Sequence, residues 1–221
     1  MARPVEPELR GARLRLVEIL REKGISDISV LRAFEMTPRH QFVPTGVRHR
    51  AYEDAPLPIG SSQTISQPFI HATYLQLLKL TGHERVLEVG TGSGYQTVLL
   101  AHLAAQVFTI ERIAALYQGA RDNIQRAGVN NVSMLLGDGT VGWSAYAPYD
   151  AILVGAGGPS VPQPLLDQLA EGGRMIIPVG ERDEQTLWMY TKRNGEMSSQ
   201  KLSAVRFVPL LGQNGWSADQ P

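Results

Sequence analysis

The sequence predicts an α/β fold: a Rossmann-like, doubly wound, mostly parallel sheet with an antiparallel C-terminal edge and an N-terminal helical extension. Three observations carry this expectation. Short apolar runs alternate with helical periodicities between residues 85 and 180, the pattern of a parallel sheet covered by helices on both faces. One run, Arg85-Val86-Leu87-Glu88-Val89, leads directly into a loop with glycine at Gly90, Gly92 and Gly94. Towards the C-terminus, Asn194-Gly195 separates two strand-like stretches, a strong signal for a two-residue hairpin turn.

The first eleven residues carry Arg3, Glu6, Glu8 and Arg10 with two prolines, and no apolar core of signal-peptide length follows. From Leu9 to Leu20, the residues Leu9, Leu16, Val17, Ile19 and Leu20 fall mainly on one helical face, opposite Arg10, Arg13, Arg15, Glu18 and Arg21. This helix should end near Gly24. A second, from Ser29 to Met36, is stopped by Pro38. Acidic residues interleave with the basic ones here, which describes a solvated face rather than a nucleic-acid patch. Residues 42–68 read as irregular, with four prolines and the polar run Ser61-Ser62-Gln63-Thr64. A loop this long inside a compact domain is usually functional or disordered, and the apolar anchors Ile59, Ile65 and Phe69 favour function.

Helical periodicity resumes from Phe69 to Leu80 and feeds the Val86–Val89 strand. A helix from Gly94 to Ala104, a strand from Val107 to Ile110, a helix from Ile113 to Ala127 and a strand from Val132 to Leu136 follow. Ala151–Val154 is a fourth buried strand and Arg174–Val179 a fifth, after a helix from Leu165 to Ala170. Right-handed crossovers should connect them. Thr186–Thr191 and Met197–Phe207 flank the hairpin turn and form the antiparallel edge. The expected organisation is one domain over residues 1–221, with N-terminal helices and an active-site loop (1–80), a cofactor-binding core (81–180), C-terminal strands (181–211) and a tail (212–221). No repeat or low-complexity tract interrupts it.

Composition narrows the function classes. The 221 residues hold 21 basic and 21 acidic side chains, a formal net charge of zero, so the electrostatic footprint of non-specific nucleic-acid binding is missing. There is no cysteine, which removes disulfides, thiolate metal sites and cysteine nucleophiles together. No stretch approaches the roughly 20 apolar residues of a membrane span. A cytoplasmic enzyme is the expectation. His40, His49, His83 and His102 show no metal-ligand spacing, and no metal is expected. Trp143, Trp188 and Trp216 read as packing residues rather than a base-stacking platform.

The glycine loop carries the chemistry. Its spacing is E-x-G-x-G-x-G from Glu88 to Gly94, not the G-x-G-x-x-G of a dinucleotide site, and it resembles the first motif of class I S-adenosylmethionine-dependent methyltransferases. The alternative is an ordinary strand-to-helix turn. Glu111 ends the next strand, where a carboxylate can accept hydrogen bonds from both ribose hydroxyls. Gly137-Asp138-Gly139 follows the third strand at the carboxyl edge; Asp138 there can accept from an adenine amino group or cap a turn.

The segment Asp54–Pro68, containing Thr64-Ile65-Ser66-Gln67-Pro68, narrows the class further. With Pro38-Arg39-His40-Gln41-Phe42-Val43-Pro44 and Val205-Arg206-Phe207-Val208-Pro209-Leu210, it resembles the protein-L-isoaspartate O-methyltransferase family, from Leu14 to Leu211. The resemblance implies transfer of a methyl group from S-adenosylmethionine to the α-carboxylate of isoaspartyl residues in damaged proteins and peptides, leaving S-adenosylhomocysteine. It places the active-site serine on Ser66. It places cofactor contacts on Gln63, Thr64, Ile65, Ser66, Glu88, Gly90, Thr91, Gly92, Gly94, Glu111, Arg112, Asp138 and Gly139, with His71 where some members have a histidine near the cofactor. Neither nucleic acid nor membrane is an implied partner, and a monomer is expected. One departure is Ser62, where many bacterial members have glycine. Residues 213–221 match no family motif.

The bottom-up chemistry agrees. A carboxylate is already ionised at neutral pH and needs no general base to attack an activated methyl, so the enzyme mainly has to align the reacting atoms. Such alignment supplies roughly 7 to 11 kcal/mol in favourable cases. A serine hydroxyl can hold a carboxylate without neutralising it. Ser66 also sits where it could cap the helix after Pro68. It does not lie in a G-x-S-x-G elbow, which argues against a hydrolase triad. Tyr52 could line a peptide site or pack beneath it. The rival functions are a class I methyltransferase acting on a small molecule or RNA, and a catalytically silent cofactor-binding protein.

Overall fold

The computed structural model describes residues 7–217. Helix α1 (Pro7–Glu22) buries Leu16, Val17 and Leu20 against helix α2 (Ile28–Met36), which contributes Val30, Leu31, Ala33 and Phe34. Ile19, expected on the same face, is 37% exposed. At about 100° per residue it points some 110° from the centre of the Leu16–Val17–Leu20 stripe. Asp27 caps α2, its side chain accepting from the Ser29 and Val30 amides.

Residues 39–67 are more ordered than their proline content suggests. Short 3-10 turns at Arg39–Phe42 and Thr45–Arg50 lead into a two-stranded antiparallel hairpin, β1 (Leu57–Gly60) and β2 (Gln63–Ile65). Leu57 and Ile65 face each other across it and are both buried. The strands are too short for their alternation to show in the sequence. Helix α3 (Pro68–Leu78) follows, with proline at its first position.

Next come β3 (Arg85–Val89), α4 (Tyr95–Ala101), β4 (Gln106–Glu111), α5 (Ala114–Ala127), β5 (Val132–Leu136) and β6 (Tyr149–Val154). Helix α6 covers only Gln163–Asp167. Leu169 and Ala170, expected at its end, instead open the long strand β7 (Leu169–Gly180), because Leu169 pairs with Tyr149 and the Tyr149 amide donates to the Gln168 carbonyl. Strands β8 (Gln185–Arg193) and β9 (Glu196–Val205) complete the sheet as the expected hairpin, with Asn194 and Gly195 both at positive φ.

The seven strands lie in the order β5-β4-β3-β6-β7-β8-β9, parallel through β7 and antiparallel beyond it. Both faces of the central strands are buried, so β3 sends Val86 into one apolar cluster and Leu87 and Val89 into the other. Each such side chain contributes about 1.5–3 kcal/mol on burial, and burial on both faces explains the unbroken apolar runs. Strand order reverses beside β3, and ligands in open α/β sheets bind at such a switch point, outside the carboxyl ends of the strands. Among the described residues, no helix is long and apolar enough to cross a membrane.

Candidate active site

The backbone after β3 has the conformation that its glycines allow. Gly90, Gly92 and Gly94 have φ of 94°, 56° and 83°, a region that L side chains rarely adopt. The Gly90 amide donates to the Ile110 carbonyl, tying the loop to β4. Glu111, at the end of β4, completes the tie: its Oε2 accepts from the Gly92 amide and its Oε1 from the Ile113 amide, both at 2.9 Å. On the other side, the Gly155 amide after β6 donates to the Val89 carbonyl at 2.8 Å.

Three adjoining cavities run along this edge, and Thr64 and Gly155 border all of them. The first, about 50 Å³, is lined by Ser66, His71, Tyr74, Glu88, Thr91 and Gln96 among others. The second, about 90 Å³, lies between Gln63, Gly92, Glu111, Arg112, Gly139 and Leu211. The third, about 320 Å³, is bordered by Ser66, Gln67 and Ile70 on one side and Arg206, Phe207 and Val208 on the other.

Several polar side chains that line the first cavity are buried. Glu88 is fully buried; its Oε2 accepts from the hydroxyls of Thr97 and Thr109 at 2.5 and 2.7 Å, and Thr109 in turn bonds Thr91. Burial pushes the Glu88 carboxyl up to about 7, against the two hydroxyl bonds, and Glu111 adds to the rise. His71 Nδ1 bonds Gln96 Oε1. Burial drives this histidine down to about 3, with the Arg39 charge adding to the effect, so its ring is neutral. Glu88 Oε1, His71 Nε2, Gln96 Nε2 and the Tyr74 hydroxyl have no hydrogen-bond partner among the described residues. Unpaired buried polar atoms are costly, and a ligand end carrying both donors and acceptors would satisfy them. The amino-acid end of S-adenosylmethionine is such a group, and the second cavity, with Glu111 and the close backbones of Gly92 and Gly139, suits its nucleoside.

Most of the residues singled out in the sequence meet here. Gln63, Thr64, Ile65, Ser66, His71, Glu88, Gly90, Thr91, Gly92, Glu111, Arg112 and Gly139 all border one of the cavities. Gly94 and Asp138 do not. Gly94 opens α4, and a Cβ there would stand 3.0 Å from Ile124, so this glycine serves helix packing. Asp138 Oδ1 accepts from the Thr140 amide and hydroxyl, and Oδ2 from the Gln213 amide at 2.7 Å. Burial would raise its carboxyl, but these bonds and the Arg112 charge hold it below the usual range. Of its two sequence readings, the geometry shows the cap.

Ser66 does not cap α3. That task falls to Asp54, whose Oδ1 accepts from the Phe69 amide at 2.8 Å, and the Ser66 hydroxyl makes no hydrogen bond to the described residues. Tyr52 packs beneath the loop, its hydroxyl 2.7 Å from His40 Nδ1. The sequence assigns no role to Gly155 or Gln96, and Arg39 and residues 208–210 figure in it only as parts of the resembling segments. Gly155 was open to discovery, since it directly follows a buried strand at the carboxyl edge.

Comparison with known proteins agrees with this geometry. The profile of the protein-L-isoaspartate(D-aspartate) O-methyltransferase (PCMT) family matches residues 12–215. The chain is 50% identical to a protein-L-isoaspartate O-methyltransferase of Methanoculleus marisnigri over 95% of its own length and 96% of the relative's. With the Hahella chejuensis enzyme it shares 52% over 92% and 97%. A solved protein-L-isoaspartate O-methyltransferase superposes with a TM-score of 0.85 at 30% identity, covering 92% of this chain and 67% of that one. A Plasmodium falciparum PCMT structure in complex with S-adenosyl-L-homocysteine superposes with a TM-score of 0.78, also at 30% identity, covering 90% and 98%. An S-adenosylmethionine-binding α/β scaffold, the serine loop beside its glycine turn and identity near one half over almost the whole length lead to one conclusion: the chain belongs to the protein-L-isoaspartate O-methyltransferase family.

Proposed function

We propose that the methyl transfer of this S-adenosylmethionine-dependent protein-L-isoaspartate O-methyltransferase takes place where the three cavities meet, with Ser66 holding the substrate carboxylate. One observation carries the assignment: Ser66 borders both the small polar cavity and the wide third cavity, and its hydroxyl is free. The bound cofactor supplies an activated sulfonium methyl. The residues suited to hold it are Glu111, Gly90 to Gly92 and Gly139 around the nucleoside, and Glu88, His71, Thr91 and Gln96 around the amino-acid end. Arg112, at the rim of the second cavity, adds a positive charge near Asp138.

The carboxylate nucleophile is ionised already, so Ser66 has to orient it and leave it charged. A hydroxyl donates one hydrogen bond and does both. The third cavity is wide enough for an extended chain, bordered by the β2–α3 junction and residues 204–208. Damaged proteins and peptides with an exposed, locally flexible isoaspartyl segment are the substrates of this reading. It also takes the chain as one methyltransferase domain, acting as a monomer in a cytoplasmic setting, for which a sequence without cysteine is suited.

Labelled methyl transfer to two peptides that differ only in isoaspartate or aspartate at one position tests the substrate. Base-labile label on the isoaspartyl peptide alone is expected, and label on both or on neither overturns the assignment. For the serine, Ser66→Ala should lower kcat about tenfold or more while S-adenosylhomocysteine binds as before.

A further inference from the structure

The one buried arginine or lysine among the described residues has no place in the chemistry above. Arg39 is 0% exposed and forms no ion pair with a carboxylate among the described residues. Its two terminal nitrogens go to main-chain carbonyls, while Nε has no partner among the described residues: Nη1 donates to Ala51 at 2.7 Å, and Nη2 donates to both Ala55 at 3.0 Å and Ser66 at 3.1 Å. Burying a cation costs several kcal/mol unless its hydrogen bonds are well made, and an apolar side chain would fill the same volume at lower cost. A charge retained here implies that what it holds matters.

What it holds is the neck of the hairpin. Ala55 precedes β1 and Ser66 follows β2, so one nitrogen pins together the two chain segments from which Gln63 and Thr64 project to the cavities. The same guanidinium lies 5.9 Å from the centre of the Tyr95 ring. Tyr95 opens α4 directly after the glycine loop, is buried, and also packs edge-on against Phe42 and His71. A single side chain therefore contacts both the backbone of the serine and the residue that follows the cofactor loop. Only arginine offers this: its planar fork reaches several acceptors at fixed angles and lays a flat face near an aromatic ring, which lysine cannot do.

We propose that Arg39 is a positioning residue for methyl transfer, setting the placement of the Ser66 hydroxyl against the glycine loop by clamping the neck of the β1–β2 hairpin to Tyr95. The proposal rests on the assignment of Ser66 to the substrate carboxylate. It makes no use of the arginine as a ligand of either substrate.

The experiment is a double-mutant cycle with Arg39→Lys and Ser66→Ala, read by kcat and KM on an isoaspartyl peptide and by calorimetric Kd for S-adenosylhomocysteine. Arg39→Lys should lower kcat about 10- to 100-fold, the scale of a misplacement near 1 Å, while Kd stays within about twofold. In the Ser66→Ala background it should lower kcat by less than about twofold more, since the serine it positions is gone. If Ser66→Ala lowers kcat but Arg39→Lys multiplies that loss in full, or lowers the melting temperature and weakens Kd together with kcat, Arg39 is structural and the proposal fails. If Ser66→Ala leaves kcat unchanged, the serine assignment fails and the positioning role falls with it. Arg39→Gln, which keeps an amide donor without the charge, runs the same cycle should the lysine variant not fold.

Discussion

The Asp54 carboxylate accepts the Phe69 amide at 2.8 Å and caps α3 from fifteen residues upstream, which leaves Ser66 free of that duty. Gln67 Nε2 and Lys23 Nζ occupy its other oxygen. The burial of Asp54 would raise its carboxyl, yet the Lys23, Phe69 and Gln67 bonds hold it below the ordinary value of 3.8. Its stabilisation is thus present above pH 3.8 and lost as the pH falls through the lowered native value. Asp54→Ala should cost about 0.5–2 kcal/mol at pH 7, the range for a lost cap, and the gap to the parent should narrow as the pH falls below 3.8. Urea unfolding across this range measures it.

Glu111 ties the loop, and in the proposed reading it holds the cofactor as well. Its two oxygens accept the Gly92 and Ile113 amides, leaving further lone pairs towards the second cavity. Glu111→Ala should weaken S-adenosylhomocysteine binding about tenfold or more, the loss of hydrogen bonds to a charged acceptor, while kcat at saturating cofactor changes by less than about threefold. Calorimetry beside steady-state kinetics separates the two. Equal losses in binding and kcat would contradict a cofactor role.

Glu88 and His71 make opposite contributions to the pH profile of stability. The Glu88 carboxyl titrates at about 7 in the fold and near 4.5 when unfolded, so folding takes up a proton between these values. Its contribution is full below pH 4.5 and lost as pH rises through 7. His71, lowered to about 3 from 6.5, contributes fully above pH 6.5 and loses this as pH falls. Between pH 4.5 and 6.5 the two slopes largely cancel. Glu88→Gln should expose the histidine: without cofactor, the stability of this variant relative to the parent should rise with pH from 4.5 to 7, by up to about 1.4 kcal/mol per unit, then level off. Parallel curves for the two proteins would rule this out.

Ser62 sits at the tip of the β1–β2 hairpin with φ of 56°, beside Ser61 at 50°. This is the left-handed region, where glycine carries no steric penalty and serine does. Ser62→Gly, the residue many bacterial relatives are expected to have, should therefore leave the fold intact and shift stability by less than about 1 kcal/mol, in the stabilising direction, as relief of strain outweighs the added freedom of the unfolded chain. Thermal unfolding of the variant reads this, and a clear loss of stability would contradict it.

Much of this protein is written in local pattern. The glycine spacing after Glu88, the alternation of buried strands and amphipathic helices, and Asn194-Gly195 each depend on backbone preference or side-chain period within a few residues, and each appears in the structure where the sequence puts it. Glycine spacing marked the loop after the first buried strand, and resemblance in the 54–68 segment pointed to Ser66. Other features were decided only by the packed chain. Arg39 read as one more arginine in a motif, because its carbonyl partners lie 12 to 27 residues away. The sequence favoured Asp138 as a ligand over a cap, and its bond to the Gln213 amide, 75 residues on, shows only in the packed chain. Gly155 joins the site because β6 lies next to β3 in the sheet, an order no local window contains. Periodicity and φ preference are properties of short segments and survive in the bare sequence. The partners of buried polar groups are set by which strands lie side by side, and that follows from the burial of the whole core.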